Sequence, residues 1–232
     1  MIAVIGDIHG CLFTLKELVE KVRDKYPLIK IYSVGDLVDR GNFSYEVIEY
    51  LIAENIEFTP GNHDYMFSYY FRQYNSRMAK AWLQNGSEKT IASYNKHNDI
   101  VSNHIDLILR APLFINNKDC FISHAGVSLL YEKPFFNYFP EDLFVLENIF
   151  RNDIENSDSI IWARGRLLNI GKLQVAGHTR RENVEYNRES NVIYIDTSVY
   201  MMNKLSAVII EDNNIEDILS VPTNDDDLKN LA

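Results

Sequence analysis

Ile2-Ala3-Val4-Ile5-Gly6-Asp7-Ile8-His9-Gly10 is the stretch that decides how the rest of the chain is read. Four apolar residues in a row read as a buried strand, and the glycine that ends them is followed by a carboxylate and an imidazole. Leu12, Leu15, Leu18, Val19 and Val22 then recur at helical spacing. Residues 29–34 read as the next strand, Val47, Ile48 and Leu51 as a second helical face, and residues 56–59 as a third strand ahead of the breaker Pro60-Gly61. Strand, helix, strand, helix, strand is the order of a parallel sheet covered by helices, so the fold class is α/β (α+β).

Outward from that start, residues 64–110 read as helix-rich, with Tyr65, Phe67, Tyr69, Tyr70 and Phe71 as packing aromatics. Strands return at 113–115, 120–123, 160–163, 173–176, 192–195 and 205–210, and residues 115–118 and 211–214 look like hairpin turns within that second sheet region. Residues 1–221 then form a single domain, and 222–232, with Asp225-Asp226-Asp227, a solvated acidic tail.

The composition removes whole classes. With 46% hydrophobic residues in 232 and only two cysteines, Cys11 and Cys120, the chain is neither disordered nor a disulfide-stapled secreted domain. A formal charge of −10 argues against non-specific attraction to nucleic acid or an anionic membrane, so any phosphate must meet a locally positive site. The first residues lack a basic region and run out of apolar residues at Gly6-Asp7, and no apolar run reaches membrane-spanning length, so the expected location is cytoplasmic.

Five times an apolar run ends in a small residue followed at once by groups able to bind a metal. They are Gly6-Asp7-Ile8-His9-Gly10, Gly35-Asp36-Leu37-Val38-Asp39-Arg40-Gly41, Gly61-Asn62-His63-Asp64, Ser123-His124-Ala125-Gly126 and Gly177-His178-Thr179. One such Gly-Asp is a turn, and one strand-end histidine is an ordinary hydrogen-bonded residue. Turn formation explains the recurring glycines but not the Asp, His and Asn beside them. Open α/β sheets place their binding crevice at these strand ends. Asp7, His9, Asp36, Asn62, His124 and His178 offer carboxylate, imidazole and amide oxygen without thiolate, which suits Mn, Fe or Zn. Six ligands are too many for one catalytic ion with an open position, but they fit two ions sharing a carboxylate.

The first three blocks, in this order, resemble the signatures of the calcineurin-like metallophosphoesterases. More narrowly they resemble the phosphoprotein phosphatase family of Ser/Thr phosphatases, in its bacterial and bacteriophage lambda branch. The resemblance runs from Gly6 to about Ser198 and implies a central β-sandwich of mixed sheets flanked by helices. It implies that Asp7, His9 and Asp36 hold one divalent ion, and that Asp36 bridges to a second held by Asn62, His124 and His178. Manganese is the first expectation, with iron or zinc behind it. His63 takes the place of the general acid, Asp39 that of the carboxylate orienting it, and Arg40 and Arg164 those of the phosphate-gripping arginines, with Arg166 an alternative to Arg164. The implied reaction is hydrolysis of a phosphate monoester by a metal-bridging hydroxide, on a phosphoprotein or small phosphorylated substrate. Residues 82–86, Trp-Leu-Gln-Asn-Gly, resemble a stretch near the active-site mouth of the phage-type branch. Asp64 stands where Glu is frequent and is read as supporting a helix start, and Ser198 stands where Gly is usual.

Two rivals stand beside the protein phosphatase. One is the symmetrical dinucleoside polyphosphate hydrolase, which shares this core and the His-Ala-Gly form at His124, but typically lacks a counterpart of Asp39 and differs after the last histidine, here Thr179. The other is a phosphate-binding module without turnover. The sequence leaves substrate and oligomeric state open.

Overall fold

The structure, a computed structural model, describes residues 1–229. Its first half follows the expected order: β1 (Ile2–Ile5), α1 (Leu12–Lys25), β2 (Lys30–Ser33), α2 (Ser44–Ala53), β3 (Glu57–Phe58) and α3 (Asn62–Arg72). Three further helices, α4 (Arg77–Trp82), α5 (Ser87–Tyr94) and α6 (Val101–Arg110), lead to β4 (Phe114–Asn116) and β5 (Phe121–Ser123). After α7 (Glu132–Tyr138) and α8 (Leu143–Asn152) come β6 (Gln174–Ala176), β7 (Glu185–Asn187), β8 (Val192–Tyr194), β9 (Lys204–Glu211) and β10 (Asn214–Pro222).

The strands form two mixed five-stranded sheets, ordered β10-β9-β1-β2-β3 and β4-β5-β6-β8-β7. Each holds a parallel trio: β1, β2 and β3 at one edge of the first, with β9 and β10 antiparallel beyond β1, and β5, β6 and β8 at the centre of the second, between antiparallel β4 and β7. Alternation then divides the side chains between two cores. Ile2, Val4, Tyr32, Val208 and Ile210 pack with Ile122, Val175 and Ile193 between the sheets. Their neighbours Ala3, Ile5, Ile31, Ala207 and Ile209 belong to the core that holds Leu15, Leu18 and Val22 of α1 and Val47, Ile48 and Leu51 of α2. On the far side of the second sheet, Phe114 and Phe121 meet Phe135 of α7 and Phe150 of α8. This is the expected sandwich of mixed sheets flanked by helices.

Three expectations are corrected. Residues 160–163 form a turn, closed by Trp162 N–H and Ala163 N–H donating to the Ser159 carbonyl at 2.9 Å each. Their apolar character reflects burial, since Ile160 and Ile161 are enclosed without being strand. The hairpin at Asp212 and Asn213 belongs to the first sheet, because β9 returns to pair antiparallel with β1. Finally, the described part of the acidic run is no solvated tail: residues 225–227 form a short 3-10 turn, and Asp227 is buried. Its carboxylate accepts from Phe13 N–H (2.8 Å), Thr14 N–H (2.9 Å) and the Thr14 hydroxyl (2.6 Å), while its carbonyl accepts from Asn42 N–H (2.9 Å). Residues 230–232 of that expected tail lie outside the described residues.

Candidate active site

The carboxyl ends of the six parallel strands meet at one edge of the sandwich and deliver one polar residue or group of residues each. The loops after β1, β2 and β3 carry Asp7 and His9, Asp36 to Arg40, and Asn62 with His63. Those after β5, β6 and β8 carry His124, His178 and Asp196. Backbone bonds lock the loops together: His9 N–H donates to the Asp36 carbonyl (2.7 Å), and Gly177 N–H to the His124 carbonyl (2.8 Å). Asp64 is buried, accepting from Gly61 N–H and from Leu37 N–H at 2.8 Å each, so it starts α3 as expected and also ties that helix to the Asp36 loop.

Two glycines mark how close these loops come. A Cβ on Gly61 would stand 2.7 Å from the His124 ring, and one on Gly177 would stand 2.7 Å from Val34 and 3.0 Å from the Asp7 carboxyl carbon. At Gly61 and Gly177 the small residue is therefore required by the neighbouring ligand-type side chain, whereas Gly6 and Gly35 are crowded by the backbone of Ile195 and of Thr59 to Gly61.

The donors point inward. His9 Nδ1 faces the Val38 carbonyl (3.0 Å) and His124 Nδ1 the Val34 carbonyl (2.8 Å), so each Nδ1 carries the proton and each Nε2 offers its lone pair. Those Nε2 atoms lie 3.5 and 3.4 Å from the two oxygens of Asp36. Asn62 Oδ1 is 3.1 Å from His124 Nε2. His178 uses Nε2 toward the Trp162 carbonyl (3.1 Å), leaving Nδ1 as its donor atom. Burial lowers the pKa of His9, His124 and His178, which keeps the imidazoles neutral. Asp7 is pushed the other way, well above the usual carboxylate range, by burial and by Asp196 and Asp36 beside it. Neutral imidazoles and crowded buried carboxylates are a donor set that a divalent cation would relieve, so the residues fit the metal chemistry.

Ligand atoms of Asp36, His124 and His178 fall within 4.8 Å of one another, as do those of His9, Asp36 and His63. Asp36 belongs to both groups, which suits a shared carboxylate. The group with His9 contains His63 rather than Asp7. His63 differs from the other imidazoles in the partner that holds its N–H, a carboxylate rather than a carbonyl: Nδ1 bonds Asp39 Oδ2 (2.6 Å), while Nε2 accepts from Arg40 Nη2 (2.9 Å). Arg40 Nη1 also reaches His9 Nε2 (2.7 Å), and its guanidinium lies 3.9 Å from the Tyr200 ring centroid. Arg164 is exposed at the rim with Nη1 on the His178 carbonyl (3.2 Å), whereas Arg166 turns away to pair with Glu189.

These groups line a polar cavity of about 230 Å³ bounded by Asp7, Asp36, Asn62, His63, His178, Arg40 and Arg164. Arg180, Asp196 and Tyr200 complete it and went unrecognised in the sequence. Asp196 obeys the same rule as the other ligands, since it follows the apolar run 192–195, but it lacks the glycine that drew attention to them. Ser198 has φ +59°, the left-handed backbone that favours glycine, the residue the resemblance leads one to expect there. The stretch 82–86 does reach the site: Trp82 Nε1 donates to Asp39, and Arg40 N–H donates to the Gly86 carbonyl (3.1 Å).

Residues 1–216 match the family model described as calcineurin-like phosphoesterase. The chain belongs to that family. Membership makes it a metallophosphoesterase-class hydrolase and implies divalent metal ions, for which the two donor groups are available. It is 37% identical over 145 residues to the asymmetrical bis(5'-nucleosyl)-tetraphosphatase PrpE of Oceanobacillus iheyensis, an overlap covering 54% of this chain and 56% of that protein. The corresponding protein of Bacillus cereus strain 03BB102 is 33% identical over 144 residues, with 53% and 56% covered. The chain thus spans about half the length of the curated relatives it matches. Its fold is shared with a candidate diadenosine tetraphosphatase (TM-score 0.64, 20% identity, 97% of this chain and 94% of that one). It is shared too with the cold-active protein-tyrosine phosphatase of a Shewanella species (TM-score 0.64, 17% identity, 96% and 80%). Among the described residues no helix is long and apolar enough to cross a membrane.

Proposed function

We propose that this phosphoesterase hydrolyses dinucleoside tetraphosphates asymmetrically, with a Ser/Thr phosphoprotein phosphatase as the second reading. The observation that carries the first is a row of guanidinium groups leading out of the catalytic cavity. Arg164 and Arg180 line both that cavity and a neighbouring cleft of about 530 Å³ bounded by Thr179, Arg181, Glu182, Ser198, Met201 and Asn203, in which three guanidinium groups face one carboxylate. A single phosphoryl group needs only the inner cavity, but a polyphosphate chain needs cationic contacts along its length. The 37% identical relative named as an asymmetrical tetraphosphatase points the same way. The second reading rests on the buried His63–Asp39 pair, because a positioned proton donor is needed most when a poor alcohol leaving group departs.

Asp7, His9, Asp36, Asn62, His124 and His178 would hold two divalent ions, manganese first. When bound, such ions lower the pKa of water and neutralise charge on phosphoryl oxygens. Arg40 and Arg164 grip the remaining oxygens in a geometry that matches phosphate. Nε2 of His63 accepts from Arg40 in this structure, so the proton-donor role requires Arg40 to turn onto the phosphate and Nε2 to take up a proton; His63 then gives it to the departing oxygen, while Asp39 holds Nδ1–H and keeps the ring turned toward the cavity. Water adds to phosphorus, the anhydride P–O bond breaks, and the products are a nucleoside triphosphate and a monophosphate.

The test compares kcat/KM of the Mn2+-loaded chain on diadenosine tetraphosphate and on a phosphoserine peptide, with products resolved by ion-exchange chromatography. ATP plus AMP as the favoured outcome supports the proposal. Two ADP would show symmetrical cleavage, and a higher kcat/KM on the peptide would establish the phosphatase reading instead.

A further inference from the structure

The geometry points to Trp82 and Thr90 as positioning residues for proton transfer, a pair of donors that fix the Asp39 carboxylate so that it can aim His63. This rests on His63 acting as the proton donor. Asp39 is wholly buried and has about four lone-pair sites to satisfy. His63 Nδ1 takes one at Oδ2. Trp82 Nε1 straddles the carboxylate, 2.9 Å from Oδ1 and 3.0 Å from Oδ2, and the Thr90 hydroxyl donates to Oδ1 at 2.8 Å.

Thr90 holds both ends of the residue, because its Oγ1 also accepts Asp39 N–H at 2.8 Å. With its single proton committed to the carboxylate, it must accept from Ser44 Oγ at 2.9 Å, which fixes the direction of every bond around Asp39. Neither donor can drift. Trp82 is fully enclosed, packed against Phe67 (centroids 5.6 Å) and Tyr70 (4.7 Å), and Thr90 is equally buried in α5. Trp82 closes α4 and Thr90 lies in the next helix, with Gly86 on Arg40 between them. The α4–α5 segment, which supplies none of the proposed metal ligands, thus contacts both Asp39 and Arg40.

A purely structural role for these donors predicts losses blind to the leaving group; a positioning role does not. Phenyl phosphate and p-nitrophenyl phosphate present the same phosphoryl group, but phenolate is the poorer leaving group and needs the proton more. Thr90→Val should lower kcat on phenyl phosphate about tenfold and on the nitrophenyl ester less than about threefold, with KM within about twofold. Thr90→Ser, which keeps the hydroxyl, should restore both to within about twofold of the parent chain, and Trp82→Phe should share the selectivity of Thr90→Val. Mn2+ binding by calorimetry confirms that each variant is folded and loaded. His63→Asn serves as the reference. If it is selective for the poorer leaving group while Thr90→Val loses equally on both esters, or if Thr90→Ser fails to rescue, the positioning inference is overturned and the proton-donor role stands. If His63→Asn is itself unselective, the proton-donor role falls and the inference with it.

Discussion

Replacing Asp227 by Ala removes the three-donor carboxylate that fastens the chain's last described turn to the start of α1. Phe13 N–H, Thr14 N–H and the Thr14 hydroxyl lose their acceptor together. Losing a capping side chain costs about 1 kcal/mol, and hydrogen bonds to a charged group about 1.5–3 kcal/mol each. Burial outweighs those bonds and holds the Asp227 carboxyl above its ordinary range, so the loss on replacement comes chiefly from leaving the three donors without an acceptor. A net loss of about 2–3 kcal/mol is the working figure, which for a domain of this size lowers Tm by about 4–12 °C. Calorimetric melting at neutral pH reads it, with Asp226→Ala as the internal control. Asp226 faces solvent one residue away, and among the described residues its side chain pairs with Lys229 at the surface, so its replacement should leave Tm where it was. If Asp227→Ala melts with the parent chain, or both variants lose equally, the clasp is not what the geometry says it is.

Chelation should abolish activity, and Asp36→Asn should weaken Mn2+ binding by more than about 100-fold while turnover disappears; calorimetric titration showing undiminished affinity would contradict Asp36 as the shared ligand. Arg164→Ala should lower kcat/KM by about 10² or more, the usual worth of a preorganised contact to transition-state charge, whereas Arg166→Ala, paired outside the cavity, should stay within about twofold; equal losses would reverse the assignment. Asp119 gives a pH signature. Burial alone would raise its carboxyl, but Asp212 N–H, the Met1 amino group and Lys118 hold it below the ordinary range. A depressed carboxylate stabilises the fold at pH above its unfolded pKa of about 3.9 and loses that contribution as pH falls through its folded value. Asp119→Asn should therefore be destabilising in urea melts at pH 7 and converge with the parent chain in acid; a constant difference would refute the linkage.

The donor set was legible because each member sits one to four residues past a buried apolar run, and strand ends are where burial, backbone turn and site coincide. Arg164 and Arg166, two residues apart, show where such reading stops, since which one faces the cavity depends on the fold of the 160–166 turn. Residues 160–163 were misread because apolar composition reports burial and not backbone conformation. Asp227 was misread for the converse reason: its acceptor role is set by donors 213 and 214 residues away. Trp82 was read as part of a stretch near the site mouth and is fully buried, yet its one polar atom is what reaches Asp39. Tyr200 and Arg180 carry no local pattern: the loop after β8 lays Tyr200 against Arg40, and Arg180, on the loop after β6, donates to the Tyr200 hydroxyl.

His9, Asp36, Asp39, Arg40 and His178 share a backbone peculiarity, φ between +47° and +73°. For residues with a side chain that conformation costs roughly 1–2 kcal/mol apiece, so five together approach the 5–15 kcal/mol by which a typical domain is stable at all. Glycine would relieve every one of them and erase the site. A laboratory selection for heat resistance that never asks for catalysis should therefore drift toward glycine at Arg40 first and at Asp39 last, since replacing Asp39 would also leave His63, Trp82 and Thr90 without their acceptor. The lineage is held in its active form by a continuing demand for turnover, and a copy released from that demand has an easy path to becoming a sturdier protein that does nothing.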